Sequence, residues 1–266
     1  MKGAPDFNRL AKLYRWMEFF SFGPFLARTR STFLDRLRDR RKALVLGDGD
    51  GRFTARLLGA NARVRVDAVD GSKAMLAALM SRTGADAYRV RTRLEDIRGW
   101  SASDPDSGSD LDSDLDSDLG SDLGTDPGSG AGSGAGSGAG SKQAYDLIAT
   151  HFFLDCLTED EIGALAGRAR RAAAPGALWV VSEFRVPSGW FGVLIARPIV
   201  AALYLSFGIL TGLTVRALPD YARALQENGF RLLERRLRLN GLLVAELWDL
   251  HLKTAVDADW GPSSAL

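Results

Sequence analysis

The feature that most constrains this chain lies near its N-terminal quarter. Residues 43–46 form a short apolar run that passes without interruption into Gly47-Asp48-Gly49-Asp50-Gly51 and then into Arg52-Phe53-Thr54. The spacing predicts a buried strand, a glycine-rich turn and a helix in immediate succession. Glycines let the backbone come close to a ligand, and the first turn of the helix offers unpaired N–H groups and positive potential. By itself such a turn is also how a strand simply hands over to a helix. What adds weight is Asp70, 21 residues after Gly49 at the end of the next strand-like run, 64–69. A carboxylate there can accept hydrogen bonds from a ribose diol, so the pair points to a ligand containing a nucleoside.

The rest of the chain repeats this alternation. Strand-like runs at 43–46, 64–69, 88–91, 145–150 and 177–182 are separated by helical patterns, as in a parallel sheet covered on both faces by helices. Thr158-Glu-Asp-Glu161 has capping-box spacing, and the helix it opens should end before Pro175-Gly176. Pro219 suits the first turn of a helix running to Asn228, with Gly229 just beyond it. Residues 231–239 and 242–248 flank Asn240-Gly241, a strong hairpin signal, so the sheet is expected to close with an antiparallel pair.

Charge divides the chain into two unlike parts. The formal net charge is +1 over 266 residues, yet residues 101–141 carry nine aspartates and no basic residue. Subtracting them leaves +10 on the remaining 225 residues, which is one domain's worth of chain. From Ser109 the acidic segment runs in four-residue units (SDLD, SDLG, then SGAG), a composition too poor in apolar side chains to offset chain entropy. It is expected to be a disordered insertion, at 101–142, within a domain spanning 43–250. Residues 1–42 are read as an N-terminal helical cap and 251–266 as a tail. The cap is basic and rich in aromatics, among them Phe7, Tyr14, Trp16 and Phe25, and Tyr14 or Trp16 could line a cationic ligand's pocket.

A lone cysteine, Cys156, excludes an internal disulfide and any cysteine-cluster metal site, and no metal is expected. The first fifteen residues have no signal-peptide core, which makes a cytoplasmic protein the default. The apolar stretch 190–215 is interrupted by Arg197-Pro198, leaving 17 uncharged residues, the lower edge for crossing about 30 Å of hydrocarbon. Its place between two strands of one sheet argues against a span. It is read as a lid over an acceptor pocket or a helix lying in a membrane interface, which allows peripheral membrane contact, with plain core as the alternative for a segment apolar on all sides.

Taken together, these segments resemble the class I S-adenosylmethionine-dependent methyltransferases, in family order and over about 42–250. Gly47-x-Gly49-x-Gly51 matches the motif whose backbone holds the methionine part of the cofactor. Val69-Asp70-Gly71-Ser-Lys-Ala-Met75-Leu76 is similar to the second-strand motif, with Asp70 at the ribose position. Leu94-Glu95-Asp96-Ile97 falls where the adenine-contacting acid lies, and 145–155, ending in His151-Phe-Phe-Leu-Asp155, resembles the motif facing the transferred methyl. The acid that usually precedes the paired glycines is replaced by Gly47, so the resemblance passes its contact with the cofactor's amino group to Asp48 or Asp50. The stretch from Leu218-Pro-Asp-Tyr221 to Gly241 is loosely similar to the ubiquinone and menaquinone C-methyltransferases.

The resemblance implies a Rossmann-like, seven-stranded α/β fold, S-adenosylmethionine as cofactor and a small, hydrophobic or lipid-like acceptor. No nucleic acid is expected, since no Asn-Pro-Pro-Tyr or Pro-Cys motif follows the fourth strand. Methyl transfer requires alignment more than acid–base machinery. Where a base is needed, His151 is the first candidate, followed by Asp155 and Glu183. Two rivals share some of these features. A nicotinamide-dependent oxidoreductase would share the turn and Asp70, but it would want a small residue near Phe53 and, in its short-chain form, a Tyr-x-x-x-Lys that is absent. A silent cofactor-binding scaffold at a membrane surface would fit the altered glycine motif.

Overall fold

The computed structural model describes residues 23–101, 144–190, 192–198, 200–201 and 218–251. Expectations that concern Tyr14 and Trp16, the acidic repeats, most of 199–215 and the C-terminal tail lie outside these residues.

Seven strands form one sheet in the order β3-β2-β1-β4-β5-β7-β6. They are β1 (Lys42–Leu46), β2 (Arg65–Asp70), β3 (Val90–Leu94), β4 (Tyr145–His151), β5 (Ala173–Phe184), β6 (Phe230–Arg238) and β7 (Leu243–Leu250). The first five are mutually parallel, and β7 runs antiparallel to both β5 and β6. The helices are α1 (Gly23–Arg30), α2 (Arg52–Ala60), α3 (Lys73–Thr83), α4 (Glu159–Ala172) and α5 (Tyr221–Glu227). This is the Rossmann-like mixed sheet with an antiparallel C-terminal pair that the sequence led us to expect.

Register explains what the fold places together. Leu46 lies opposite Val69 on one side and Thr150 on the other, and Val69 lies opposite Arg93. The residues one step further along therefore form a row across the strand ends: Leu94, Asp70, Gly47, His151 and, opposite His151, Ser182. The chain leaves β1 toward β2 on one side and toward β4 on the other, so this row spans the point where strand order reverses. In open α/β sheets, ligands bind in the crevice that opens there.

Each face of the sheet has its own core, because successive strand residues point to opposite sides. Leu44, Leu46, Ile148, Trp179 and Trp248 pack with α4 and α5, whereas Ala43, Val45, Leu147, Val180 and Leu247 pack with α2 and its Phe53 and Leu57. The capping box that opens α4 is present: Thr158 Oγ1 accepts from Glu161 N at 3.3 Å and Glu161 Oε2 from Thr158 N at 2.8 Å.

The helix expected to hold Pro219 in its first turn begins at Tyr221 instead, because Asp220 caps it by accepting from Arg223 N. Three other boundaries differ from expectation, each for a local reason. The third strand is Val90–Leu94, and the expected run at 88–91 begins in a 3-10 turn, Gly84–Arg89, with Tyr88 exposed. Arg89 is diverted from the strand to cap α2, donating to the carbonyls of Leu58 (3.0 Å) and Asn61 (2.8 Å). The fifth strand begins at Ala173, directly after α4, so that Pro175-Gly176 lies inside it; the pairing with β4 shifts between Tyr145 and Leu147. The hairpin loop is longer than an Asn-Gly turn. Leu239 and Asn240 both take positive φ (49° and 52°), and Leu242 turns inward against Ala196 and Val200.

Among the described residues no helix is long and apolar enough to cross a membrane. Where the apolar segment is described, a π-helical turn at Gly192–Ala196 buries Ala196, while Trp190, Val193 and Leu194 are exposed.

Candidate functional site

The strand-end row is roofed by the glycine turn. Gly47, Gly49 and Gly51 all adopt left-handed φ (68°, 59° and 77°), a conformation costly for a residue with a β-carbon. Two of them also admit close neighbours. A β-carbon on Gly47 would meet the Phe153 ring at 2.6 Å, and one on Gly51 would meet Leu79 Cγ at 2.6 Å and its backbone at 2.8 Å. Gly51 thus lets α3 pack against the turn. Gly49 is different, since only Met75 Sδ comes near, at 3.8 Å, and nothing lies within 4 Å at Gly71. These two open glycines flank Asp70 and leave its surroundings accessible to a ligand.

Asp48 closes the turn from within. Its carboxylate accepts from Phe53 N (3.3 Å), Thr54 N (2.8 Å) and Thr54 Oγ1 (2.7 Å), which satisfies orphan donors at the start of α2. Burial raises its pKa above the ordinary carboxylate value, against the opposing pull of the Thr54 hydrogen bonds and of Arg30. Asp50 faces elsewhere. Its carboxylate meets Arg82 Nη2 at 2.7 Å and Arg52 Nε at 3.1 Å, and so ties the turn to α3.

Asp70 accepts from Ser72 N at 2.9 Å and from the backbone of Gly49, so a single carboxylate bridges the ends of β1 and β2. Burial pushes its pKa up to about 6, and the Ser72 and Gly49 hydrogen bonds act the other way. Ser72 in turn caps α3 by accepting from Met75 N at 3.4 Å. Glu95 donates its backbone N–H to Asp70 O (3.2 Å), and its carboxylate pairs with Arg93 at 3.1 Å. Asp96 is exposed and accepts from Arg98 N at 3.0 Å, which turns the chain toward buried Ile97 and Trp100.

At the end of β4 the backbone is strained. Phe152 has φ 55° and donates to Ser182 O at 2.7 Å. Such values cost about 1–3 kcal/mol in a non-glycine residue and persist where surrounding structure fixes them. The strain reverses the chain so that Phe153 crosses Gly47. Glu183 holds this reversal, with Oε1 accepting from Phe153 N (3.1 Å) and Leu154 N (2.8 Å). Its Oε2 is buried with no partner among the described residues. Burial, reinforced by Asp155, raises Glu183 well above the usual value, and burial pushes Asp155 up to about 6. Cys156 Sγ donates to Asp155 Oδ1 at 3.5 Å.

His151, 3% exposed, lies on the opposite face from Glu183. Its ring packs on Phe53 at 4.2 Å between centroids, and Nδ1 is 2.9 Å from Ser182 Oγ. Ser182 Oγ donates its only proton to Thr29 O (3.4 Å). The hydroxyl therefore accepts from His151 Nδ1–H, which leaves Nε2 as a buried lone pair without a partner among the described residues. Burial, and then Arg30, lower the imidazole's pKa well below its usual value, so the ring is neutral at pH 7.

Arg30 was not visible in the sequence as a site residue. It is 6% exposed, lies 5.1 Å from the centroid of the Phe152 ring and acts on both Asp48 and His151. Only its membership of the basic N-terminal region hinted at a role. Ser182 and Phe153 were also missed, because strand register and a left-handed Phe152 bring them in. Of the expected residues, Gly47, Asp48, Gly49, Gly51, Asp70, Gly71, Met75 and His151 gather at the strand ends. Asp155, half-buried, and Glu183, buried, form a separate carboxyl pair at the β4 turn.

No protein-family model matches the sequence, and no curated protein matches it. Solved structures do match. The N-methyltransferase NodS from Bradyrhizobium japonicum WM9, in complex with S-adenosyl-L-homocysteine, superposes with a TM-score of 0.52 at 15% identity, over 85% of this chain and 88% of that one. N,N-8-amino-8-demethyl-D-riboflavin dimethyltransferase from Streptomyces davawensis gives 0.54 at 15% identity, over 92% of this chain and 62% of its own. Human N-acetylserotonin methyltransferase, in complex with SAM, gives 0.52 at 14%, over 86% and 52%. At such identities the likeness establishes the fold, which is the Rossmann-like fold of methyltransferases.

Proposed function

We propose that this chain is an S-adenosylmethionine-dependent methyltransferase acting on a small, hydrophobic or lipid-like acceptor. The observation that carries the reading is Asp70, half-buried at the end of β2 and hydrogen-bonded to the backbone of Gly49, with open glycines on both sides of it. A carboxylate acceptor next to an unobstructed backbone suits a ribose diol continuing into a polar chain. The solved methyltransferases with this fold, one holding S-adenosyl-L-homocysteine and another SAM, support the same cofactor here.

S-adenosylmethionine, when bound, supplies the electrophilic methyl group. In this reading Asp70 holds the ribose, the backbone of Gly47, Gly49 and Gly51 holds the methionine part, and Gly71, Met75, Glu95 and Asp96 border the adenine side. Asp48 orients the turn, and Arg30 beside it adds positive charge for a carboxylate. Asp50 is committed to its two arginines and serves the turn's attachment to α3. Phe152, Phe153 and α1 exclude water. His151 Nε2, neutral and with no partner among the described residues, takes the acceptor's proton where one must leave; Glu183 holds the β4 turn in place. The oxidoreductase alternative is disfavoured by Phe53, fully buried against His151 where a dinucleotide turn needs a small residue.

The loose similarity of 218–241 to quinone C-methyltransferases makes a quinol-type ring the first acceptor to try. The test is methyl transfer from labelled cofactor to quinone precursors and lipid extracts. Incorporation that disappears in Asp70→Ala supports the reading, and its absence across both panels, with no binding of the cofactor, rejects it.

A further inference from the structure

A concavity lies past the C-terminal end of β5, where Phe184, Arg185 and Val186 line it. A cavity of about 970 Å³ opens between the end of β5, the Gly192–Ala196 turn and the start of α5. It is of the size that takes a drug-sized or lipid-sized molecule. Its walls are mostly apolar, with Val186, Val193, Val200 and Leu218 among them. Its floor is polar and already internally satisfied. Glu246, 1% exposed, accepts from Arg235 Nε at 2.5 Å and from Trp248 Nε1 at 3.0 Å, and Tyr221 is hydrogen-bonded to it.

The floor also approaches the carboxylate that holds the β4 turn. Val181 of β5 lies opposite Glu246 of β7, and Glu183 follows two residues later on the same face. Glu183 is therefore a diagonal neighbour of Glu246, roughly 7–8 Å away in an antiparallel pair. Glu183 Oε1 in turn holds the amides that follow Phe152.

The charges lining this cavity do not balance locally. Arg235 is taken by Glu246, and Asp220 is exposed and occupied as the cap of α5, accepting from Arg223 N at 3.1 Å. Arg185 and Arg197 also line the cavity, and neither guanidinium has an acidic partner among the described residues. Two such cations over an apolar chamber make a site for a molecule with both characters. We infer that this cavity seats an acceptor with an apolar body and one anionic group, a carboxylate, sulfonate or phosphate, with Arg185 and Arg197 as its specificity-determining residues. The inference rests on the methyltransferase reading for calling the occupant an acceptor.

The experiment measures binding of dodecanoate and of dodecan-1-ol to the full chain and to an Arg185→Gln/Arg197→Gln variant, by calorimetry below the detergent-forming concentration. Vesicles of phosphatidylcholine, with and without phosphatidylglycerol, form a second arm. A charge-assisted pair is worth about 1.5–3 kcal/mol, so wild type should prefer dodecanoate over the alcohol by about tenfold or more. The variant should lose that preference while binding the alcohol unchanged. Binding of dodecanoate in solution identifies a free anionic acceptor. Retention only on phosphatidylglycerol vesicles, reduced in the variant, identifies the same chemistry in a bilayer. Equal affinity for acid and alcohol, or an unaltered preference in the variant, overturns the inference, as does no binding in either arm.

Titration of S-adenosyl-L-homocysteine on the same samples separates the two levels. Binding of S-adenosyl-L-homocysteine without anion selectivity in either the dodecanoate or the vesicle arm rejects the anionic seat alone, and the reverse rejects the methyltransferase reading. The variant's melting temperature and far-UV spectrum show that it is folded.

Discussion

Phe153 lies across Gly47 so closely that a β-carbon on the glycine would come within 2.6 Å of its ring. Two segments about a hundred residues apart in sequence are thereby locked together at the ends of β1 and β4. Gly47→Ala should suffer twice, from the left-handed φ, which costs about 1 kcal/mol, and from the collision. We expect a loss of about 2–4 kcal/mol by denaturant unfolding. Phe153→Ala in the same chain should recover the steric part and not the backbone part, so the two changes will be strongly non-additive. Simple additivity would show that the contact is not formed.

Asp48 predicts a separable effect. Asp48→Ala removes three accepted hydrogen bonds at the start of α2, and helix caps of this type contribute about 0.5–2 kcal/mol. Asp48→Asn keeps the acceptor for Thr54 but turns an amide NH2 toward Phe53 N, so it should fall between wild type and Asp48→Ala at pH 7. Chemical denaturation of both variants checks the order.

The pKa of Asp70, raised to about 6, has a definite sign for stability. The folded chain holds this proton more tightly than the unfolded chain, so the contribution is present below pH 4 and is lost as pH rises through about 6. Asp70→Asn should therefore gain stability relative to wild type between pH 4 and pH 7. With discount for partial exposure we expect about 1–2 kcal/mol. Ligand binding moves oppositely: S-adenosyl-L-homocysteine should bind wild type about tenfold more weakly at pH 5 than at pH 7.5, and the Asn variant should show little of that dependence. Melting curves and calorimetry across this range decide both points, with the variant separating Asp70 from Asp155, which titrates nearby.

Glu183 discriminates positioning from proton transfer. Glu183→Ala orphans the amides of Phe153 and Leu154, at about 1–3 kcal/mol for each buried donor. Glu183→Gln retains the acceptor and removes a buried acid, so it should be at least as stable as wild type at pH 7. It should also keep S-adenosyl-L-homocysteine affinity within about threefold, which calorimetry will show.

Legibility of the fold in the sequence followed local physics. β1, β2 and β4 are interior strands paired on both sides, so their apolar runs stood out, and the Thr158–Glu161 box marked α4 within one residue. β3 was displaced because it is an edge strand whose Arg91 and Arg93 interrupt any apolar pattern, and because Arg89 is drawn back to α2. The glycines and Asp70 were readable because backbone conformation restricts residue type. Arg30, Ser182 and the Phe152 strain were not, since each depends on contacts across the sheet. Asp50 shows the converse limit. Its spacing suggested a ligand contact, yet two arginines 2 and 32 residues away claim it.

The most direct test of the central claim is calorimetric titration of the wild-type chain and Asp70→Ala with S-adenosylmethionine and, separately, with NADH. The account predicts binding of S-adenosylmethionine at one site, no binding of NADH, and at least a tenfold loss of affinity in a folded Asp70→Ala variant. Binding of NADH without S-adenosylmethionine, or full affinity retained by Asp70→Ala, would contradict it.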